Sequence, residues 1–176
     1  MNTSLLDLIQ KNINMKHISC SYNDFSQGEV HGCIEKPRSR SGLALFDGAV
    51  ELSVGGKKTA CTAGDVFFLP AGALYAFKIL EERVKVHLVN FELYGENDES
   101  ITPFDAPTLL GNAGDSLIRE QFLRCVMLFR TSTNRISLKS ETFSLFSSAI
   151  LLFSSENIPA NIQDVRALVP KHSLRR

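Results

Sequence analysis

The sequence predicts a mainly β protein with an α-helical part: an antiparallel β-barrel or sandwich followed by two helices. Two observations support this fold class. Turn-forming residues are dense up to about residue 95 and sparse from 115 to 156, and most of the 11 glycines precede residue 96. Short apolar runs alternate with those turns in the first half, whereas apolar residues recur at helical spacing in the second half.

Local patterns place the strands of the first half. Residues 50–54 alternate apolar and polar side chains, which indicates a half-buried strand. Gly55 and Gly56 follow, and they suit a two-residue hairpin because both positions can adopt positive φ. Strands so close together must pair antiparallel, since no crossover helix fits between them. Five strands are expected, at residues 50–54, 58–61, 66–69, 75–79 and 84–91.

Two helices are predicted in the second half. Asp115 or Ser116 can cap a helix that runs to about Phe129. A second helix, from about Leu138 to Ser154, carries two apolar stripes, which is more than one packing contact requires. Either this helix is buried on two sides within one subunit, or one stripe forms a dimer seam with a second copy. The first stripe, taken as the dimer interface, is Leu138, Leu145, Ala149 and Leu152; the second is Phe143, Phe146, Ile150 and Phe153.

Charge and composition exclude several functions for this chain alone. Nineteen basic and nineteen acidic residues give a formal net charge of zero, which argues against a self-contained nucleic-acid-binding domain and against polybasic attachment to a membrane. The polar N-terminus does not resemble a signal peptide, so we expect a cytoplasmic protein with no membrane association. The four cysteines are scattered and are expected to be free thiols.

The chain changes character after residue 157. Ile158-Pro159 ends the second helix, and residues 166–176 contain four basic residues and no acidic residue. A basic tail of this kind suits either a solvated chain end or a linker into a basic domain.

The segment from Gly64 to Tyr75 resembles the second cupin motif, G-x5-P-x-G-x2-H. Tyr75 stands where that motif has its metal-binding histidine, and the H-x-H of the first motif is missing around residues 41–52. The resemblance therefore implies a cupin-like jelly-roll barrel without a metal site, and no cofactor is expected.

Further segments, at 34–37, 43–48, 64–77 and 86–91, resemble the N-terminal sensing and dimerisation domain of AraC-type transcription regulators. The two predicted helices also match that domain, in which they form the dimer interface. The resemblance covers about residues 26–156. It implies a homodimer that contacts DNA only through a helix-turn-helix domain, which this sequence does not contain. The implied division is an N-terminal arm (1–25), a cupin-like barrel (26–95), a helical dimerisation segment (96–157) and a linker toward the DNA-binding domain (158–176).

The resemblance also implies an effector site inside the barrel, with the N-terminal arm folded over it. Lys36 matches a basic residue that grips a polar effector in this family. Tyr75 and Phe77 lie two apart on one strand and so share a face, as do Val86 and Leu88 on the last strand. His87 points the opposite way and is expected to be structural or exposed. The expected effector-binding residues are Lys36, Tyr75, Phe77, Val86, Leu88 and, as the lid, Tyr22 and Phe25.

This lining is more apolar than a sugar site would be, because a sugar requires several converging donors and acceptors. We therefore expect either a mainly apolar effector with one anionic group, or a protein partner in place of a small molecule. One alternative is a stand-alone, metal-free cupin binding protein. A cupin enzyme is a weaker alternative, since its chemistry usually needs a metal whose ligands are absent from this sequence. The expectation is that the chain is not an enzyme.

Overall fold

A computed structural model of the chain describes residues 5–131 and 135–156. Within these residues lie ten strands and three helices. In chain order they are α1 (Leu5–Gln10), β1 (Asn14–Ser26), β2 (Val30–Cys33), β3 (Ser41–Asp47), β4 (Val50–Val54), β5 (Lys57–Cys61), β6 (Asp65–Leu69), β7 (Tyr75–Ile79), β8 (Arg83–Tyr94), β9 (Ser100–Ile101), β10 (Thr108–Asn112), α2 (Leu117–Thr131) and α3 (Arg135–Glu156).

The strands form two sheets that face each other. The larger sheet has the order β1-β8-β3-β6-β10, with β9 paired to β8, and the smaller sheet has the order β2-β7-β4-β5. Every pairing between the described strands is antiparallel. From β5 to β8 the chain alternates between the two sheets, as in a jelly roll. The predicted fold class, a cupin-like antiparallel barrel followed by two helices, is confirmed.

Period-two alternation along the strands of the larger sheet builds two separate cores. On β3, Ala44 and Phe46 point toward the smaller sheet and join the inner core of the barrel. Leu43 and Leu45 point the other way and join the helical core, between the larger sheet and the helices. Each side chain belongs to one core because successive residues of a strand face opposite sides. The apolar run 66–69 is buried throughout for the same reason.

The five strands and two helices expected from the sequence are all present, within a few residues at their ends. Gly55 and Gly56 both have positive φ (55° and 79°), as the predicted hairpin requires. The hydroxyl of Ser116 accepts a hydrogen bond from the backbone N–H of Ile118 at 3.4 Å, so Ser116 caps α2.

The predicted boundaries at both ends of the barrel are wrong. Residues 14–26 form β1, which pairs along β8 inside the larger sheet, so most of the segment 1–25 is not an arm. The barrel also continues past residue 95, because β10 pairs with β6 and completes the larger sheet. The predicted linker, 158–176, lies outside the described residues.

The predicted dimer stripe on α3 is also wrong. Leu138, Leu145 and Ala149 are buried in the helical core, and Leu152 packs against that core. The second stripe packs there too, so α3 is buried on two sides within one subunit. By length and composition α3 could cross a membrane. In this structure, however, Phe146 and Ile150 are fully buried among the other core residues.

Candidate ligand-binding site

The space between the two sheets contains a cavity of about 250 Å³, called here the inner cavity. Its walls come from both sheets, and most of the lining side chains are aromatic or aliphatic. The polar groups among them are few. The lining residues are Asn23, Phe25, His31, Gly32, Cys33, Arg38, Ala44, Phe46, Leu69, Tyr75, Phe77, Val86 and Leu88.

Five of the sequence-predicted residues line this cavity: Phe25 from β1 and two pairs from β7 and β8. Tyr75 and Phe77 point inward from β7, and Val86 and Leu88 point inward from β8. Each pair shares a face because its members lie two apart on a strand. Their role in binding an effector stays a prediction.

A second, larger cavity of about 660 Å³ adjoins the first and is called here the outer cavity. The segment 34–40, which leads from β2 to β3, forms most of its wall. Gly32, Cys33, Arg38 and Leu88 line both cavities and so mark the junction between them. The outer cavity is the more polar, with Ser19, Ser39 and Asn90 in its lining.

Arg38 stands at this junction and is the residue that sequence reasoning missed. The residue is only 8% exposed. One guanidinium nitrogen donates to the hydroxyl of Tyr75 at 2.9 Å, and the other terminal nitrogen donates to Oδ1 of Asn90. No carboxylate of the described residues lies within ion-pair distance of it, and its Nε finds no acceptor there. The site therefore holds a buried positive charge without an acidic partner.

The backbone of the turn between β6 and β7, together with a glycine, holds Arg38 in place. Its backbone N–H donates to the carbonyl of Ala73 at 3.0 Å, and its carbonyl accepts from Gly72 at 2.7 Å. A Cβ on Gly42 would lie 2.5 Å from the Arg38 guanidinium and 2.8 Å from the carbonyl oxygen of Val89. Only glycine at position 42 leaves room for this guanidinium against β3.

Lys36, the basic residue singled out from the sequence, is not buried as Arg38 is. It lines the outer cavity but is exposed, so its charge remains solvated. Arg38, two residues later, is the basic residue that is buried between the two cavities. The sequence signal for this was the run Lys36-Pro37-Arg38-Ser39-Arg40, in which three alternate residues are basic.

The predicted lid pair, Tyr22 and Phe25, is divided between the two faces of β1. Phe25 points into the inner cavity, where its ring stacks on His31 with centroids 3.7 Å apart. Tyr22 points toward the helices and meets the ring of His87 edge-on at 4.7 Å. A separation of three residues places two side chains on opposite faces of a strand, so they cannot form one lid. Phe25 is a wall of the cavity, and Tyr22 belongs to the helical side.

Burial dominates the electrostatics of the site. It raises the pKa of Tyr75, while the positive charge of Arg38 opposes that rise. Burial likewise raises the pKa of Cys20 to about 12 and those of Cys61 and Cys125 to about 11. In the part of the chain that the structure describes, no three side chains of His, Cys, Asp or Glu converge in a metal-binding arrangement.

The two facing sheets form a cupin-like fold that encloses the inner cavity. No protein-family model and no curated protein sequence matches the chain. Among solved structures, the fold is similar to that of ToxT from Vibrio cholerae, an AraC-family regulator. ToxT bound to (E)-4-(8-methylnaphthalen-1-yl)but-3-enoic acid matches 80% of this chain, with 12% identity and a TM-score of 0.56. The chain spans 58% of the length of that ToxT structure.

Two further solved structures are also similar to this chain. ToxT bound to an unsaturated fatty acid matches 79% of this chain and is covered over 55% of its own length, with 11% identity and a TM-score of 0.53. A cupin superfamily protein from Desulfitobacterium hafniense matches 46% of this chain and is covered over 78% of its own length, with 19% identity and a TM-score of 0.37.

Proposed function

We propose that this chain is the effector-sensing domain of an AraC-type transcription regulator, and that its effector is an apolar molecule with one anionic group. One observation carries the proposal: a buried arginine, which has no acidic partner within residues 5–131 and 135–156, lies where an apolar cavity meets a polar one. The role is binding rather than catalysis.

The burial and the uncompensated charge of Arg38 favour an effector with an anionic group. A buried charge is costly unless it is paired and hydrogen-bonded. The two hydrogen bonds of the Arg38 guanidinium go to the neutral side chains of Tyr75 and Asn90, so its charge stays uncompensated by the described residues. A carboxylate at the junction of the cavities would supply the missing charge through strong, charge-assisted hydrogen bonds.

The size and lining of the inner cavity favour an apolar body. An engineered cavity of about 150 Å³ accepts benzene, and the inner cavity is larger, at about 250 Å³. A fused ring pair or a medium-length alkyl chain suits this space. A sugar suits it less well, because its hydroxyls would need several converging partners that the wall of Phe25, Phe46 and Phe77 does not supply.

The similar structures give a consistent picture. The two ToxT ligands named above, a naphthalenyl-butenoic acid and an unsaturated fatty acid, each combine an apolar body with a carboxylate. ToxT shares the fold of this chain, so it supports an effector of the same chemical class here.

The regulatory part of the proposal is a population shift. An effector that binds one arrangement of a cytoplasmic homodimer better than another would bias attached DNA-binding modules. Since the stripe on α3 is buried, the proposed dimer contact moves to the exposed face of α2. Leu123 and Met127 lie four residues apart on that face and are 52% and 57% exposed.

Binding of decanoate, with decanol as the neutral analogue, tests the proposal by titration calorimetry and thermal unfolding. We expect decanoate to bind at least about tenfold more tightly than decanol, because a single charge contact in a partly screened site is worth that much. At a concentration of about 100 Kd, decanoate should stabilise the fold by about 2.7 kcal/mol.

Variants identify the cation. Arg38→Gln should remove the preference for the acid over the alcohol, while Arg83→Gln, which changes an exposed arginine paired with Asp24, should leave it intact. Lys36→Gln should change the affinity for decanoate less than about threefold, because exposed charge pairs contribute little. Stabilisation by neutral sugars alone, or an unchanged preference in folded Arg38→Gln, would overturn the proposal.

A further inference from the structure

Cys33 differs from the other three cysteines in its position. It is half-buried, points inward from β2, and lines both the inner and the outer cavity. Cys20, Cys61 and Cys125 are buried in the protein core. Cys33 is therefore the cysteine that a small molecule in the cavities can reach.

We propose that Cys33 is a covalent modification site for anionic electrophiles, namely α,β-unsaturated ketones that also carry a carboxylate. The proposal rests on the proposed function in that the same cavities receive the molecule. It adds a covalent bond to what would otherwise be reversible occupancy.

Arg38 provides an independent reason to expect a ligand at this thiol. Arg38 is 8% exposed and lines the same two cavities, its buried Nε has no hydrogen-bond partner, and no carboxylate of the described chain pairs with it. Cys33 pairs with Tyr75 across β2 and β7, and the hydroxyl of Tyr75 accepts the hydrogen bond from Arg38. The thiol, the phenol and the cation are thus neighbours at the junction of the cavities.

This arrangement selects for charge on the reacting molecule. Reactive cysteines typically lie in partly exposed, electropositive surroundings, and Arg38 supplies the nearby cation here. The same cation attracts a carboxylate and holds it beside the sulfur, so an anionic electrophile gains local concentration and orientation. A neutral electrophile of the same shape gains neither.

The reaction is an addition with no net oxidation or reduction. The thiolate sulfur of Cys33 attacks the carbon β to the ketone, and a C–S bond forms while the C=C π bond breaks. The electron pair moves onto the ketone as an enolate. The proton lost by the thiol is balanced by a proton taken up at the carbon next to the ketone. Nothing leaves, and no oxidant is needed.

The test compares trans-benzoylacrylate with its neutral methyl ester on the full chain. Adduct formation is followed by intact mass spectrometry and peptide mapping, and each rate is divided by the rate of the same reagent with glutathione. We expect one adduct per chain, at Cys33, and none in Cys33→Ser. The ratio of the normalised rate of the acid to that of the ester should be about ten, which is the effect of one screened charge contact.

Two further measurements assign the selectivity to Arg38. The ratio should fall toward one in Arg38→Gln and stay high in Arg83→Gln. If Arg38→Gln fails to fold, the salt dependence of the native chain provides the test. The acid-to-ester ratio must fall as the salt concentration rises, because salt screens a charge contact at a partly exposed site. Labelling spread over several cysteines, or a ratio near one at low salt, would overturn the proposal.

This result can be separated from the test of the effector. Tight binding of decanoate by Cys33→Ser, together with unselective labelling of the native chain, would leave the effector proposal standing and refute the covalent site. Selective labelling of Cys33 in a chain that does not bind decanoate would support the covalent site and refute the effector proposal.

Discussion

The guanidinium of Arg38 donates a 2.9 Å hydrogen bond to the hydroxyl of Tyr75, which is the first residue of β7. This bond ties the segment between β2 and β3 to the wall of the inner cavity. Tyr75 occupies the position at which the cupin motif has a metal-binding histidine. In this chain a phenol that orients a cation takes that place, and under the proposed function it supports binding of an anion.

Removing this hydroxyl should therefore cost stability as well as affinity. Tyr75→Phe leaves one donor of the buried Arg38 unsatisfied, and such groups cost about 1–3 kcal/mol. Urea denaturation should show this loss, with weaker binding of decanoate. Tyr94→Phe is the control: its hydroxyl donates to Glu92 on a strand that does not line either cavity at that point, and it should lose less. Equal losses in the two variants would contradict the role given to Tyr75.

Gly42→Ala tests the space around the guanidinium. The added methyl group would lie 2.5 Å from Arg38 and 2.8 Å from a backbone oxygen, so either Arg38 or β3 must move. We expect a loss of about 1–3 kcal/mol of unfolding free energy, typical of overpacking. Decanoate binding should weaken more than this global loss explains. Gly95→Ala is the matched control, because its new methyl group meets only the flexible carboxylate end of Glu99.

The two helices should respond differently to substitution. Leu145→Ala removes a fully buried side chain from the helical core and should cost about 2–5 kcal/mol in urea denaturation. The double variant Leu123→Ser with Met127→Ser changes exposed residues and should leave the subunit's stability within about 0.5 kcal/mol per site. In sedimentation experiments the double variant should dissociate the proposed dimer. A dimer that survives it would place the interface elsewhere.

His87 should make stability depend on pH. It is buried between Tyr22 and Phe122, and its Nδ1 has no partner among the described residues. Burial lowers the pKa of His87 below its ordinary value of 6.5, and Arg119 and Lys85 lower it further, against the opposing charge of Asp47.

The sign of the effect follows from which state binds the proton first. Above pH 6.5 both states are neutral and the stability is complete. As the pH falls below 6.5 the unfolded chain takes up a proton first, so stability declines until the pH reaches the lowered pKa of the folded state. Urea denaturation between pH 7.5 and 5.5 should show this decline in the native chain. His87→Phe should flatten it, and parallel curves for the two proteins would refute the assignment.

Sequence patterns predicted the strands and helices because each depends on neighbouring residues. Alternation at 50–54, the glycine pair after it and the cap at Ser116 are local signals, and all three hold in the structure. The long strand β1 was missed, since its pattern is irregular and it is fixed by pairing with β8. Such a pairing joins residues some seventy positions apart, and no local pattern reports it.

In the candidate site, too, local features could be predicted from the sequence and features set by long-range packing could not. The inward faces of β7 and β8 followed from spacing alone. The choice between Lys36 and Arg38 did not, because both are basic, both precede β3, and only the packing of Gly42 and Tyr75 decides which one is buried. Likewise, the dimer stripe on α3 could not be told from a core stripe, because apolar spacing is identical in the two cases.

The strand β8 has a practical consequence for protein engineering. Val86 and Leu88 face the inner cavity, whereas His87 and Val89 face the helices, so the strand serves two cores with adjacent residues. A library that diversifies β8 to change ligand preference would disturb helix packing in many of its members. The segment 34–37, which borders the outer cavity and is exposed, has no second core to support. Retargeting the pocket should begin there.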